Sequence, residues 1–177
     1  MAVIRAFGTH YPKIANGVFV AETAAVLGDV ELADDVSIWY GSVLRGDMGK
    51  IRIGARSNVQ DNATVHMTHD MSDAIIGADV IIGHNAVVHG AIIEDGALIG
   101  MGSVIMDNAK VEAGAWVAAG SIVPPRAVIP KGMLARGTPA KPVRPVKPEE
   151  IAWAADAIER YVALGQTYLR DQKPSDG

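Results

Sequence analysis

The sequence predicts an all-β chain: a parallel β-helix of six-residue repeats with one α-helix packed along it. Three observations predict it. An aliphatic residue recurs at every sixth position through most of the chain. Nearly half the residues are hydrophobic but only 5% are aromatic, which suits a narrow core of Val, Ile, Leu and Ala. A single stretch of helical periodicity follows Pro148.

Residues 1–16 read as a leading segment that covers the first coil. Residues 17–123 are the ladder, marked by Val18, Ala24, Val30 and Val36, then Ile53, Val59 and Val65, then Ile76, Ile82 and Val88. Ile93, Ile99, Ile105, Val111, Val117 and Val123 continue it without a break. Each repeat is one short strand and a corner, and three repeats close one triangular coil. The periodic aliphatic points inward and stacks on its copy one coil away, ~4.8 Å along the axis. Residues 124–148 hold seven prolines. Proline denies both ladder and helix, so this stretch is expected to be a connecting loop running back in extended form. Glu149 and Glu150 then open a helix over 149–171, since acidic residues favour a helix N-terminus. Its apolar stripe is Ile151, Ala154, Ala155, Ile158, Tyr161, Val162, Gly165, Tyr168 and Leu169. Residues 172–177 are expected to be a disordered tail.

Length fits one domain of 177 residues. A net charge of −4 with no basic block argues against nucleic acid and anionic membrane as partners. No apolar run is long enough to span a bilayer. The first residues lack a signal-peptide core, so the expected compartment is cytoplasmic. With no cysteine, any metal site must use histidine or carboxylate.

The repeat is irregular in three places. Val36 to Ile53 is 17 residues, one short of a coil, and Val88 to Ile93 is five, again one short. Val65 to Ile76 is 11, so about five extra residues loop out near Met67–Asp73. Irregular repeats re-aim side chains, and function is usually lodged there. Repeat counting puts His66 and His89 on one face, one coil apart, each one residue after its inward valine. Both therefore point outward as stacked neighbours, close enough to share one metal. His84 belongs to the preceding face, near a corner, and reaches such a pair only on a neighbouring chain. A homotrimer then forms three metal sites, each with two histidines from one chain and one from the next. Three neutral imidazoles suit zinc, with iron or cobalt as alternatives.

Polar residues gather near these histidines. Arg45, Asp47 and Asp61 read as a charge network at a subunit interface. Asn58 and Gln60 flank the inward Val59 and point outward. Gln60 is placed to hydrogen-bond metal-bound solvent, with Asn58 supporting it. His69, in the looped-out segment, is a candidate for moving protons.

Arg45-Gly46-Asp47, Asn58-Val59-Gln60-Asp61, His66, Gly83-His84 through His89-Gly90, Gly137-Thr138-Pro139-Ala140-Lys141 and the C-terminal helix together resemble the gamma-class carbonic anhydrases. The resemblance covers most of the chain. It implies a left-handed parallel β-helix, a trimer, and a metal held between subunits by His66, His84 and His89. It implies reversible hydration of carbon dioxide to bicarbonate. Arg45 and Asp61 resemble the family's interface ion pair, with Asp47 beside it. Gln60 resembles the residue that orients the nucleophile, with Asn58 behind it. Tyr161 resembles a tyrosine at the site, with Tyr168 as the alternative. The sequence departs from active members in lacking glutamates near the site: Met48 follows Asp47, and the loop offers His69, Asp70 and Asp73. The departure bears on turnover, not on metal binding. Two further classes stay open, a hexapeptide acyltransferase or thioester enzyme and a non-catalytic metal-bound trimeric scaffold.

Overall fold

The computed structural model describes residues 2–171, and the expected tail at 172–177 lies outside the described residues. The chain winds as a parallel β-helix whose coils each carry three short strands. One face stacks Phe19–Val20, Ser37–Ile38, Asn58–Val59, Ile81–Ile82, Leu98–Ile99, Trp116–Val117 and Met133–Gly137. The other two faces join in a 12-stranded sheet, because Ala25–Leu32 and Val43–Ile53 run around the corner between them.

Inward residues stack in three columns. One is Ile38, Val59, Ile82, Ile99 and Val117. The second is Val26, Leu44, Val65, Val88, Ile105 and Val123. The third is Leu32, Ile53, Ile76, Ile93, Val111 and Ile129. Every one of them is 2% exposed or less. A second inward residue sits two positions earlier at the corner, where the triangle narrows. Small side chains fill it in most coils, such as Ala63, Ala86, Ala97, Ser103, Ala109 and Ser121.

This corner position corrects the ladder register of residues 17–36. Val18, Ala24, Val30 and Val36 are corner residues. The stacked residues are Val20, Val26, Leu32 and Ile38, two places later. The register break changes with it. Leu44 and Ile53 lie nine residues apart, so three extra residues are inserted rather than one lost. The insertion is a bulge: Gly28 pairs with Gly46, but Val30 pairs with Ile51. Asp47 and Met48 lie on it.

The leading segment does more than cover the first coil. Val3–Arg5 and Lys13–Ile14 pair in parallel with Ala25–Leu32 and form part of the sheet. The proline-rich stretch is not a plain loop either. Val128–Ile129 continues the ladder, and Met133–Gly137 and Ala140–Pro145 form an antiparallel hairpin on its last coil. Pro124 and Pro130 lie between strands, where no ladder N–H is needed. The hairpin turns at Thr138–Pro139, whose peptide bond is cis.

The helix spans Pro148–Asp171. Its first turn is held by Glu150, which accepts a hydrogen bond from the Lys147 N–H (2.8 Å) and two from the Arg144 guanidinium. Its buried stripe is narrower than the periodicity predicts: Ala154, Ile158 and Gly165 are buried, whereas Ile151 and Ala155 are exposed. Ala154 and Ile158 pack on Ile81, Leu98 and Trp116 of the face below. Nearer its C-terminus the helix meets an aromatic cluster. Tyr161 and Tyr168 both pack on Trp39, and Tyr168 also touches Phe19 and Tyr40.

Candidate metal centre

His66 and His89 are direct register partners on neighbouring coils. Each follows an inward valine, so strand alternation turns both imidazoles outward. The rings meet edge to face, with His66 Nδ1 3.4 Å from His89 Nε2. Two nitrogens bound to one tetrahedral ion at ~2.05 Å lie ~3.3 Å apart. The pair therefore has the spacing of two ligands of a single metal.

The outer nitrogen of each ring is committed to a carboxylate. Asp47 Oδ1 lies 3.1 Å from His66 Nε2, and Asp107 Oδ2 lies 3.1 Å from His89 Nδ1. Burial opposes ionisation of Asp47, but hydrogen bonds from Arg45 and His66 outweigh it and hold its carboxyl below the usual range. Asp107 behaves the same way: burial raises its pKa, and Ser72 and His89 bring it below the ordinary value. Both carboxylates accept hydrogen bonds, so a ring in the tautomer that donates to its carboxylate turns the lone pair of its other nitrogen toward the partner ring. Arg45 supports that tautomer at His66. Its Nη2 lies 3.5 Å from His66 Nδ1, and a guanidinium can only donate. Two facing lone pairs repel, and a cation relieves them.

His84 lies apart, at a corner. Its Nδ1 is 2.8 Å from Asp61 Oδ2. Asp61 thus pairs with His84 within the chain, while Arg45 pairs with Asp47 at 2.7 Å. The expected network of Arg45, Asp47 and Asp61 is not joined inside one chain. Among the described residues no three histidine or acidic side chains converge on one point.

Asn58 and Gln60 point outward from the β-helix as expected, yet both are buried. Gln60 Nε2 donates to Asn58 Oδ1 at 3.1 Å, and Asn58 Nδ2 has no partner among the described residues. Tyr161 is half-buried; burial raises its hydroxyl pKa, and the nearby Asp61 carboxylate adds to the rise. The Tyr168 ring belongs to the Phe19–Trp39–Tyr40 cluster. His69 is exposed on the loop, and Asp70, 3.1 Å away, is its ion-pair partner. It makes no hydrogen bond to the paired histidines.

Sequence reasoning missed Asp107, Thr68 and Ser72. Asp107 follows His89 by 18 residues, one coil, so the same counting that paired His66 with His89 reaches it. Ser72 and Thr68 could not be found that way, because the looped-out segment has no register.

Fold and site together define a hexapeptide-repeat β-helix protein with a paired-histidine centre on one outer face. Residues 73–107 match the family model described as bacterial transferase hexapeptide (six repeats). The chain is 39% identical over 173 aligned positions to Protein YrdA of Escherichia coli (strain K12), covering 94% of both. It is 40% identical over 169 positions to gamma carbonic anhydrase 2, mitochondrial, of Arabidopsis thaliana. That match covers 93% of this chain but only 61% of the longer plant protein. Its structure superposes on a hexapeptide transferase family protein from Anaplasma phagocytophilum with a TM-score of 0.90 at 38% identity, covering 94% and 98% of the two chains. The chain belongs to the hexapeptide-repeat family that includes these well-covered relatives, and it is similar to the gamma carbonic anhydrase over most of its own length.

Proposed function

We propose that the protein is a metal-dependent carbonic anhydrase that reversibly hydrates carbon dioxide to bicarbonate in the cytoplasm. The observation that carries this reading is the approach of His66 Nδ1 to His89 Nε2 at 3.4 Å, with the other nitrogen of each ring against a carboxylate. His84 of a neighbouring copy supplies the third ligand, in a homotrimer with three shared sites. Zinc is the expected ion, and iron or cobalt fit the same donors. A metal ion held by His66, His89 and the neighbouring copy's His84 would supply the Lewis acidity that activates water for attack at neutral pH.

The chain's own residues do the rest. Asp47, steadied by Arg45, fixes the His66 ring, and Asp61 does the same for His84. Asn58 fixes the Gln60 amide, which orients the attacking solvent. Tyr161 forms part of the site wall beside Asp61. His69 carries the released proton to buffer from its exposed loop.

The test is stopped-flow carbon dioxide hydration with metal content measured on the same sample, for zinc and anaerobic iron forms. Turnover that tracks occupancy and vanishes in His66→Ala is the expected result. Full occupancy without turnover in either form would exclude the hydratase and leave a metal-bound scaffold. Turnover of an acyl-coenzyme A without bound metal would move the protein to the transferases.

A further inference from the structure

We infer that Asp107 is a positioning residue that sets the tautomer of His89 and fastens the 67–73 loop to the same ring. The inference rests on His89 being a metal ligand only for its consequence, not for its geometry. Asp107 stands one coil beyond His89 and is largely enclosed. Its Oδ2 lies 3.1 Å from His89 Nδ1 and accepts from Thr68 Oγ1 at 3.2 Å. Its Oδ1 accepts from Ser72 Oγ at 2.6 Å. Ser72 Oγ in turn accepts from the Thr68 N–H at 3.3 Å, closing the loop on itself. One carboxylate thus ties two loop hydroxyls to one imidazole.

The surroundings are shaped for this contact. Gly90 follows His89 with φ +59°, and a Cβ there would stand 2.0 Å from Ser72 Oγ and 2.4 Å from Asp107 Oδ1. Any side chain at 90 would drive the loop off the carboxylate. Asn108 adds a bond from its amide to the Met71 carbonyl, and Asp73 accepts from the Lys50 N–H at 2.7 Å. The loop is pinned at both ends, and its central anchor is the carboxylate that touches His89.

A carboxylate on Nδ1–H leaves the Nε2 lone pair exposed toward His66. Losing such a partner typically costs 10–100-fold in metal affinity. Removing the Ser72 hydroxyl should free the loop while leaving the His89 contact in place. The two variants therefore separate the two roles.

The experiment uses nitrogen NMR of the histidine rings in metal-free protein near pH 8, above the ordinary imidazole pKa of about 6.5. It is paired with zinc affinity by chelator competition and proteolysis within residues 67–73. In the native protein His89 should be the Nδ1–H tautomer. Asp107→Ala should shift it toward Nε2–H, weaken zinc 10–100-fold and speed loop cleavage. Ser72→Ala should speed cleavage alone, with the His89 tautomer unchanged. If the tautomer does not move in Asp107→Ala, the positioning role is wrong; if neither variant speeds cleavage, the loop anchor is wrong. If the native protein binds no zinc, the metal reading fails, and the ring spectra and cleavage rates still decide for or against Asp107. Should Asp107→Ala fail to fold, Asp107→Asn is substituted, read by the same ring spectra.

Discussion

A buried amide without a partner costs about 1–3 kcal/mol, and Asn58 carries one. Its neighbours along the outward column are Ser37 and Ile81. The same Asn58 side chain accepts a hydrogen bond from Gln60, and in the proposed function that bond holds the Gln60 amide. Replacing both members with Leu removes the orphaned Asn58 nitrogen and the Gln60–Asn58 hydrogen bond together. The double variant should unfold at a urea concentration equal to or above that of the native protein, while hydratase activity falls. Asn58→Leu alone should be less stable than the double variant, because it strands the Gln60 amide. A double variant markedly weaker than either single change would mean the amides serve stability instead. These two residues were legible from their places either side of Val59, and so were His66 and His89. Their burial was not legible, because the covering helix and the Trp39 cluster lie far away in sequence. The contact of Asp61 with His84 was not legible, because residue counting places corners less finely than strands.

The helix is an element whose docking can be tuned from either end. At Gly165 an added Cβ would meet Phe19 Cβ at 3.4 Å and Ser37 Cβ at 3.5 Å, ordinary contact distances. Gly165→Ala should therefore raise stability by up to about 1 kcal/mol through helix propensity, whereas Gly165→Leu should lift the helix off the β-helix and lower it. Differential scanning calorimetry reads both signs, and a destabilising alanine would show that the fit is tighter than these distances. At the other end, hydrogen bonds from Arg144 and the Lys147 N–H lower the Glu150 pKa from 4.5 to about 2. A lowered folded-state pKa gives stability that is full above 4.5 and lost as pH falls toward 2. Across that window Tm should fall more steeply for the native protein than for Glu150→Gln, which lacks the contribution at every pH. Parallel curves would remove Glu150 from the account. The helix itself was legible almost to the residue, since period and acidic start agree. The first coils were misread by two residues because Val30 and Leu32, or Val36 and Ile38, are both inward and both large. Period alone cannot rank two such positions. The prolines misled because their effect depends on whether they stand between strands or within one.

At the scale of the whole molecule, the question is where the third ligand comes from. His66 and His89 lie on one face and His84 at a corner bonded to Asp61, and among the described residues no third such side chain closes the site within a chain. In the proposed homotrimer, a closed three-fold ring, the corner of each copy would meet the face of the next. Such sharing has a signature that no single-chain site can imitate. His84→Ala chains keep the pair but lack the donor, and His89→Ala chains keep the donor but lack the pair. Each homotrimer should bind no zinc tightly. In a mixed ring of either composition, only one junction joins an intact pair to an intact donor. Random co-assembly of equal amounts makes about three-quarters of the rings mixed, so about one-quarter of all sites should return. Zinc content and hydratase rate should recover together to that fraction, and equal recovery from mixing His66→Ala with His84→Ala would follow from the same geometry. Mixing His66→Ala with His89→Ala should recover nothing, because both lesions fall on the same half of the site. Recovery in that last mixture, or none in the first two, would place the three ligands differently.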